Sequence, residues 1–149
     1  MPFIQKTPRS EINAYLNSVN VRIMQAVLHK LQVIGEKVVN RARTTEEKGK
    51  DFTDRTGNLR SSIGYVLSVD GQIFSSSGFP AVMNGGEGSQ KGKAFAESIA
   101  EKIPQGIALV VVAGLNYAVY VSNRGYDVID SGEMLARELI PAMTKKLGL

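Results

Sequence analysis

The sequence predicts an α+β fold: a long N-terminal helix packed on a small, mainly antiparallel sheet, with a second helix at the C-terminus. Three observations lead there. From Ile12 to Val38 apolar residues recur every three or four positions, the spacing of one helix face. Two runs of strand-forming residues flank Asp70-Gly71, a dipeptide suited to the positive φ angles of a tight hairpin. After Asp130 helical periodicity returns. At 149 residues the chain is one domain by size. Positions 10–44 form its helical arm, and positions 54–149 its hairpin, sheet and remaining helices.

Composition narrows the function classes. Apolar residues make up 43% and charged residues 21%, as in a folded soluble protein. Cysteine is absent, which removes disulfides and thiolate metal sites. No stretch has signal-peptide character, and none approaches the roughly 18 apolar residues of a membrane span. The net charge of +4 is unevenly spread: residues 1–60 hold 11 Lys/Arg against 6 Asp/Glu, and the remainder 7 against 8. Such an excess suits either a solvated helix face or a surface meeting nucleic acid or an acidic protein, and the solvated face is the commoner case.

Met1 to Pro8 reads as an extended lead-in, with Ser10 as the helix cap. The stripe then runs through Ile12, Leu16, Val19, Ile23, Val27, Leu31, Ile34 and Val38. Asn17-Ser18-Val19-Asn20 is its weak point, because Asn and Ser compete for backbone hydrogen bonds, and a break or bend is expected there. A helix of this length exceeds what so small a domain can cover, so its far end is expected to pack on another subunit. Thr44 to Asp51 is polar, charged and without periodicity, a loop by composition.

Asp54 to Ile63 joins helix to sheet. Thr56 is placed to cap a short helix, and Gly57 relaxes the backbone beside it. Leu59 and Ile63 share one face, leaving Arg55 and Arg60 for solvent or a partner. Tyr65–Val69 and Gln72–Ser76 are the hairpin strands. Positions 78–93, centred on Gly85-Gly86-Glu87-Gly88, read as a second loop. Phe95, Ile99 and Ile103 mark an amphipathic helix over 94–103, ended by Pro104 and Gly106. Ile107–Ala113, nearly all apolar, is a strand buried on both faces or the centre of the sheet. Asn116–Val121 is a helical turn or extended, and Tyr126–Ile129 is a candidate last strand. Asp130 and Glu133 have capping-box spacing for the final helix, 131–147. Met134, Leu135, Leu139, Ile140, Met143 and Leu147 supply its apolar face, and Pro141 is expected to kink it.

No pattern points to an enzyme, a cofactor or a small-molecule substrate. His29 has neither a second histidine nor a cysteine to complete a metal site. The serines lack a Gly-x-Ser-x-Gly setting. Glu46, Glu47, Asp51 and Asp54 read as a solvated charged loop in preference to a metal site. Gly92-Lys93 lacks the earlier glycine of a phosphate loop, where Glu87 stands, and Ala94 follows in place of Ser or Thr. Tyr117 and Tyr120 beside Arg124 are better explained as packing than as a stacking platform for bases.

Three segments carry a resemblance. Asp54-Arg55-Thr56-Gly57-Asn58-Leu59-Arg60-Ser61-Ser62-Ile63 resembles the D-x-T-G-x-L-R-x-S-I segment of the minor tail-component, or tail-completion, proteins of long-tailed bacteriophages and prophages. Tyr117-Ala118-Val119-Tyr120-Val121, with Gly125 beyond it, is similar to that family's Y-A-x-Y-V-E-x-G-T. Leu139-Ile140-Pro141-Ala142 is similar to its F-L-x-P-A. The three keep the family's order and span most of the chain from Asp54 to Ala142. Ser122 stands where the family has Glu, Gly125 comes one residue late, and Tyr126 replaces Thr.

The resemblance implies a non-enzymatic structural protein of the virion neck, assembled in the host bacterial cytoplasm. It implies a subunit of a ring, commonly sixfold, whose partners are copies of itself, a head-side connector and tail-tube proteins. The motif residues it marks are Thr56, Gly57, Leu59, Arg60, Ser62, Ile63, Tyr117, Ala118, Tyr120, Val121, Gly125, Pro141 and Ala142. Packaged DNA passing such a ring would give Arg41, Arg43, Lys48 and Lys50 a use. The alternative from another class is a small basic nucleic-acid-binding protein.

Overall fold

The computed structural model describes residues 4, 6–44, 56–116, 118–123 and 128–149. Its elements are α1 (Arg9–Arg43), α2 (Asn58–Ser61), β1 (Ile63–Val69), β2 (Gln72–Ser76), α3 (Gly86–Glu101), β3 (Ile107–Ala113), α4 (Ala118–Asn123) and α5 (Asp130–Lys146). This is the expected α+β architecture. Among the described residues the sheet has three strands in the order β2-β1-β3, both pairings antiparallel. Helix α1 covers one face, with α5 packed against α1, and α3 covers the other.

Period-two alternation sorts β1 between the two layers. Ile63, Tyr65 and Leu67 join Leu28, Leu31, Val39 and Ala42 of α1 in the larger core. Val66 faces the other way and packs with Phe79, Ala96, Ala100, Val110 and Val112. The β1–β2 turn is as expected, with Asp70 at φ 50° and Gly71 at φ 80°, a pair of left-handed residues that matches the twist of the two strands. Beyond it the register slips by one residue between Leu67 and Ser68, so Phe74 forms a bulge on the outer strand. Bulges on edge strands deter further pairing.

Several expectations are corrected. Helix α1 is continuous through Asn17–Asn20. The Ser18 hydroxyl donates to the Tyr15 carbonyl at 2.7 Å, which leaves the helical ladder intact, and Asn17 and Asn20 point to water. The helix starts at Arg9, one residue before the expected cap, with Pro8 at the cap position accepting from the Glu11 and Ile12 N–H groups. The glycine-rich segment expected as a loop over 78–93 is one only as far as Gly85: α3 begins at Gly86 and runs 16 residues. Its buried face is Gly88, Gly92, Ala96 and Ala100, while Phe95 is exposed. Small residues let the helix lie against backbone, and that contact outweighs their weak helix propensity.

Strand β3 is an edge, with β1 at the centre. Its unbroken apolar run reflects helices on both faces, Leu109 and Val111 toward the larger core and Val110 and Val112 toward the smaller. Val128 and Ile129 form a bend, not a strand. Asp130 is the first residue of α5, and Ile129 takes the cap position without a side-chain bond. Glu133 pairs with Arg137 at 2.7 Å instead of capping. Met134 and Ile140 are exposed, and the one fully buried residue of α5 is Gly132, which lies against the Val38 carbonyl. The loop expected over Thr44–Asp51 lies, beyond Thr44, outside the described residues, as do Tyr126 and Asp127.

Candidate functional site

Thr56 to Ile63 forms a clasp between the layers, and its parts are used internally. Thr56 Oγ1 accepts from the Asn58 N–H at 3.3 Å, although the cap position itself is Gly57, at φ 78°. A Cβ on Gly57 would lie 2.0 Å from the Val82 carbonyl oxygen, so backbone conformation and space both require glycine there. Leu59 and Ile63 enter the larger core together, as expected. Ser61 Oγ donates to the Gly57 carbonyl at 2.6 Å and accepts from the Val82 N–H at 2.8 Å. Ser62 Oγ donates to the Leu59 carbonyl at 2.7 Å, and its own carbonyl accepts from the Gly114 N–H at 3.1 Å.

Asn58 has a role that sequence reasoning missed. Its Oδ1 accepts from the Gly88 N–H at 3.0 Å, satisfying one of the orphan donors in the first turn of α3. It caps a helix from 30 residues away, so no local spacing signals it. On the opposite side of the clasp Arg60 is half-buried, a correction to its expected exposure. Arg43 donates to the Pro80 carbonyl at 2.8 Å. Burial first, and then the neighbouring Arg60 charge, pull the Arg43 guanidinium below its ordinary pKa.

Arg41 is likewise half-buried near the end of α1. Ala118 is buried at the start of α4, which also carries Tyr120 and Val121. Pro141 and Ala142 lie in the second half of α5. Arg55, Tyr117, Gly125, Lys48 and Lys50 lie outside the described residues. The structure thus brings the first motif together as a clasp and places the others at separate points on the body.

A shallow cavity of about 430 Å³ opens beside the clasp between Asn58, Glu87, Lys91, Gly114 and Asn116. Its two charged groups already pair with each other at 2.6 Å, both exposed. Lys91 holds the Glu87 carboxyl below the usual carboxylate range by hydrogen bond and charge. An amine and a carboxylate that neutralise each other give neither a nucleophile–base pair nor a ligand cage. Among the described residues no group of three or more His, Asp or Glu could hold a metal ion. No helix among them is long and apolar enough to cross a membrane.

The surface that stands out is the first half of α1. Ile12, Tyr15, Leu16 and Ile23 are 39%, 68%, 52% and 44% exposed, Val19 is half-buried, and continuous burial begins at Ala26 and Val27. The expected stripe runs on into the body, where Val27 is half-buried and Leu31, Ile34 and Val38 are buried. At about 100° per residue Ile34 lies on the azimuth of Leu16, and the covered face, which also takes in Leu28, Gly35, Val39 and Ala42, is centred roughly 110° further round. The arm's apolar face is therefore the uncovered outer end of that stripe. Phe74 and Ile73 are also exposed on β2. A second groove, of about 330 Å³, follows the outer edge of β3 between Phe95, Ile99, Val112, Val119 and Val128. No family model, no characterised protein and no solved structure matches the chain.

Proposed function

We propose that the protein is a non-enzymatic structural subunit of a long-tailed phage particle, forming a ring in tail completion or head–tail joining. The observation that carries this reading is the uncovered apolar face of α1 from Ile12 to Ile23. Exposed apolar patches of this kind mark surfaces meant for another protein. A ring needs two different patches that meet between neighbours. The arm on one side and the strand edges of the body on the other are suited to that, β3 with its apolar groove above all. The order of the three motifs along the chain supports the same assignment. In this reading the remaining partners are a head-side connector and tail-tube proteins, and the place is the virion neck after assembly in the bacterial cytoplasm. In the same reading the basic residues Arg41 and Arg43 at the end of α1, and Lys48 and Lys50 further along the sequence, serve contact with packaged DNA.

The test is electron microscopy of the purified protein at high concentration. Closed rings are the expected result, and Leu16→Glu abolishes them. A protein that forms no rings, and instead binds duplex DNA with an affinity falling steeply between low and moderate salt, is the nucleic-acid-binding alternative. That outcome overturns the virion reading. A gene neighbourhood holding portal, capsid and tape-measure proteins is the corresponding genomic expectation.

A further inference from the structure

We infer that, free in solution at raised concentration, the uncovered half of α1 pairs with the same segment of a second copy, antiparallel about a two-fold axis between positions 17 and 18. The inference stands apart from the virion reading and concerns the free protein.

It starts from the spacing. Arg9, Ile12, Leu16, Val19, Ile23 and Ala26 follow one another at intervals of three, four, three, four and three, the seam of a two-stranded coil. That seam ends at Ala26, since its next positions are the exposed Lys30, Val33 and Lys37, and the body covers the helix continuously from there on. In an antiparallel pair whose facing positions sum to 35, Ile12 meets the partner's Ile23 and Leu16 meets the partner's Val19. Arg9, the first residue of the helix, falls opposite the partner's Ala26, where continuous burial by its own body begins. The uncovered length therefore matches itself end to end.

The flanks agree with the same register. Asn13 lies beside the partner's Asn20, amide against amide. Tyr15 lies beside the partner's Arg22, where a guanidinium can stack on the ring face. Each contact occurs twice, as two-fold symmetry requires. Five apolar side chains per copy amount to on the order of 500 Å² on each side, which puts the contact at the small, reversible end of protein interfaces. Between Arg9 and Ala26 the arm holds Arg9, Arg22 and Glu11, so two arms repel weakly. Added salt screens that repulsion and strengthens the pair, the opposite of its effect on DNA binding.

Sedimentation equilibrium of the full chain over a dilution series reads the outcome. The wild-type protein is expected to pass from monomer to dimer, with tighter association at higher salt. Leu16→Glu stays monomeric with an unchanged circular-dichroism spectrum, and Tyr15→Ala weakens the dimer several-fold. Orientation follows from single cysteines, which enter a cysteine-free background. Ile12→Cys and Ile23→Cys give a disulfide-linked dimer when mixed and oxidised, and neither gives one alone. Self-linking of either variant alone means parallel arms, and a wild-type chain monomeric to millimolar concentration means no pairing; each overturns the inference. Rings without a dimer remove the pairing and keep the virion reading, whereas a dimer that never yields rings does the reverse.

Discussion

Gly92→Ala is expected to destabilise the protein, although it places the better helix former in a helix. Gly92 lies in the middle of α3, on the face turned to the clasp. A Cβ there would sit 2.4 Å from the Ser62 carbonyl oxygen and 2.8 Å from two further Ser62 backbone atoms. Gly114, whose N–H bonds to that same Ser62 carbonyl, approaches beside it, and its own Cβ would come within 2.4 Å of the Gly92 Cα. Restoring ordinary separation means moving α3 by about 1 Å. The atoms in the way belong to the backbone of Ser62, the residue that ends α2, so no side chain can swing aside. Overpacking of this sort costs about 1–3 kcal/mol. The retreat also loosens Ala96 and Ala100 against Val66, Val110 and Val112. Alanine's helix preference offsets about 1 kcal/mol. The net loss is about 1 kcal/mol, a fall in Tm of roughly 2–4 °C for a chain of this size.

Gly86→Ala is the control. It lies in the first turn of the same helix, and a Cβ there meets nothing within 4 Å. It should raise stability by about 0.4–1 kcal/mol through the unfolded chain alone. Urea unfolding followed by circular dichroism, with an unchanged slope for both variants, reads the two signs. A Gly92→Ala protein as stable as wild type or more so would refute the close approach of α3 to the clasp.

Other consequences follow from the same packing. Ser61→Ala removes the acceptor of the Val82 N–H and should cost about 1–3 kcal/mol in chemical denaturation, because that donor is part-buried. The Tyr65 hydroxyl, buried and donating to Glu36 at 2.9 Å, has its pKa pushed up to about 12 by burial first and by Glu36 second. The folded state therefore holds a proton that the unfolded chain releases near pH 10. The stability this contributes is complete below pH 10 and declines as pH rises toward 12. Tyr65→Phe should lack that part of the decline in a pH series of urea midpoints. Leu16→Glu, on the uncovered arm, should change the unfolding free energy of dilute protein by less than about 0.5 kcal/mol. A larger loss would place Leu16 inside the fold.

Periodicity alone determined much of this molecule. The apolar spacing of α1, the strand runs around Asp70-Gly71, the run at Ile107–Ala113 and the pattern after Asp130 each name an element, because a helix and a strand repeat their faces at fixed intervals. The joint at Thr56–Ile63 was legible only in its short-range bonds, from Thr56, Ser61 and Ser62 to residues two to four positions away, and not in those to Val82, Gly88 and Gly114. What the sequence by itself could not determine was set by groups far apart along the chain. Gly85–Gly88 reads as a loop by composition, yet it opens a helix because Asn58 caps it and the clasp backbone fills the space its missing side chains leave. Asn17–Asn20 reads as a break, yet the helix runs on because water and one hydroxyl-to-carbonyl bond satisfy those side chains within helical geometry. Tertiary structure alone decided which stretch of α1 is covered. Apolar spacing records that a face exists, but only the extent of the sheet, and the turn of the helix over it, leave Ile12 to Ile23 in water.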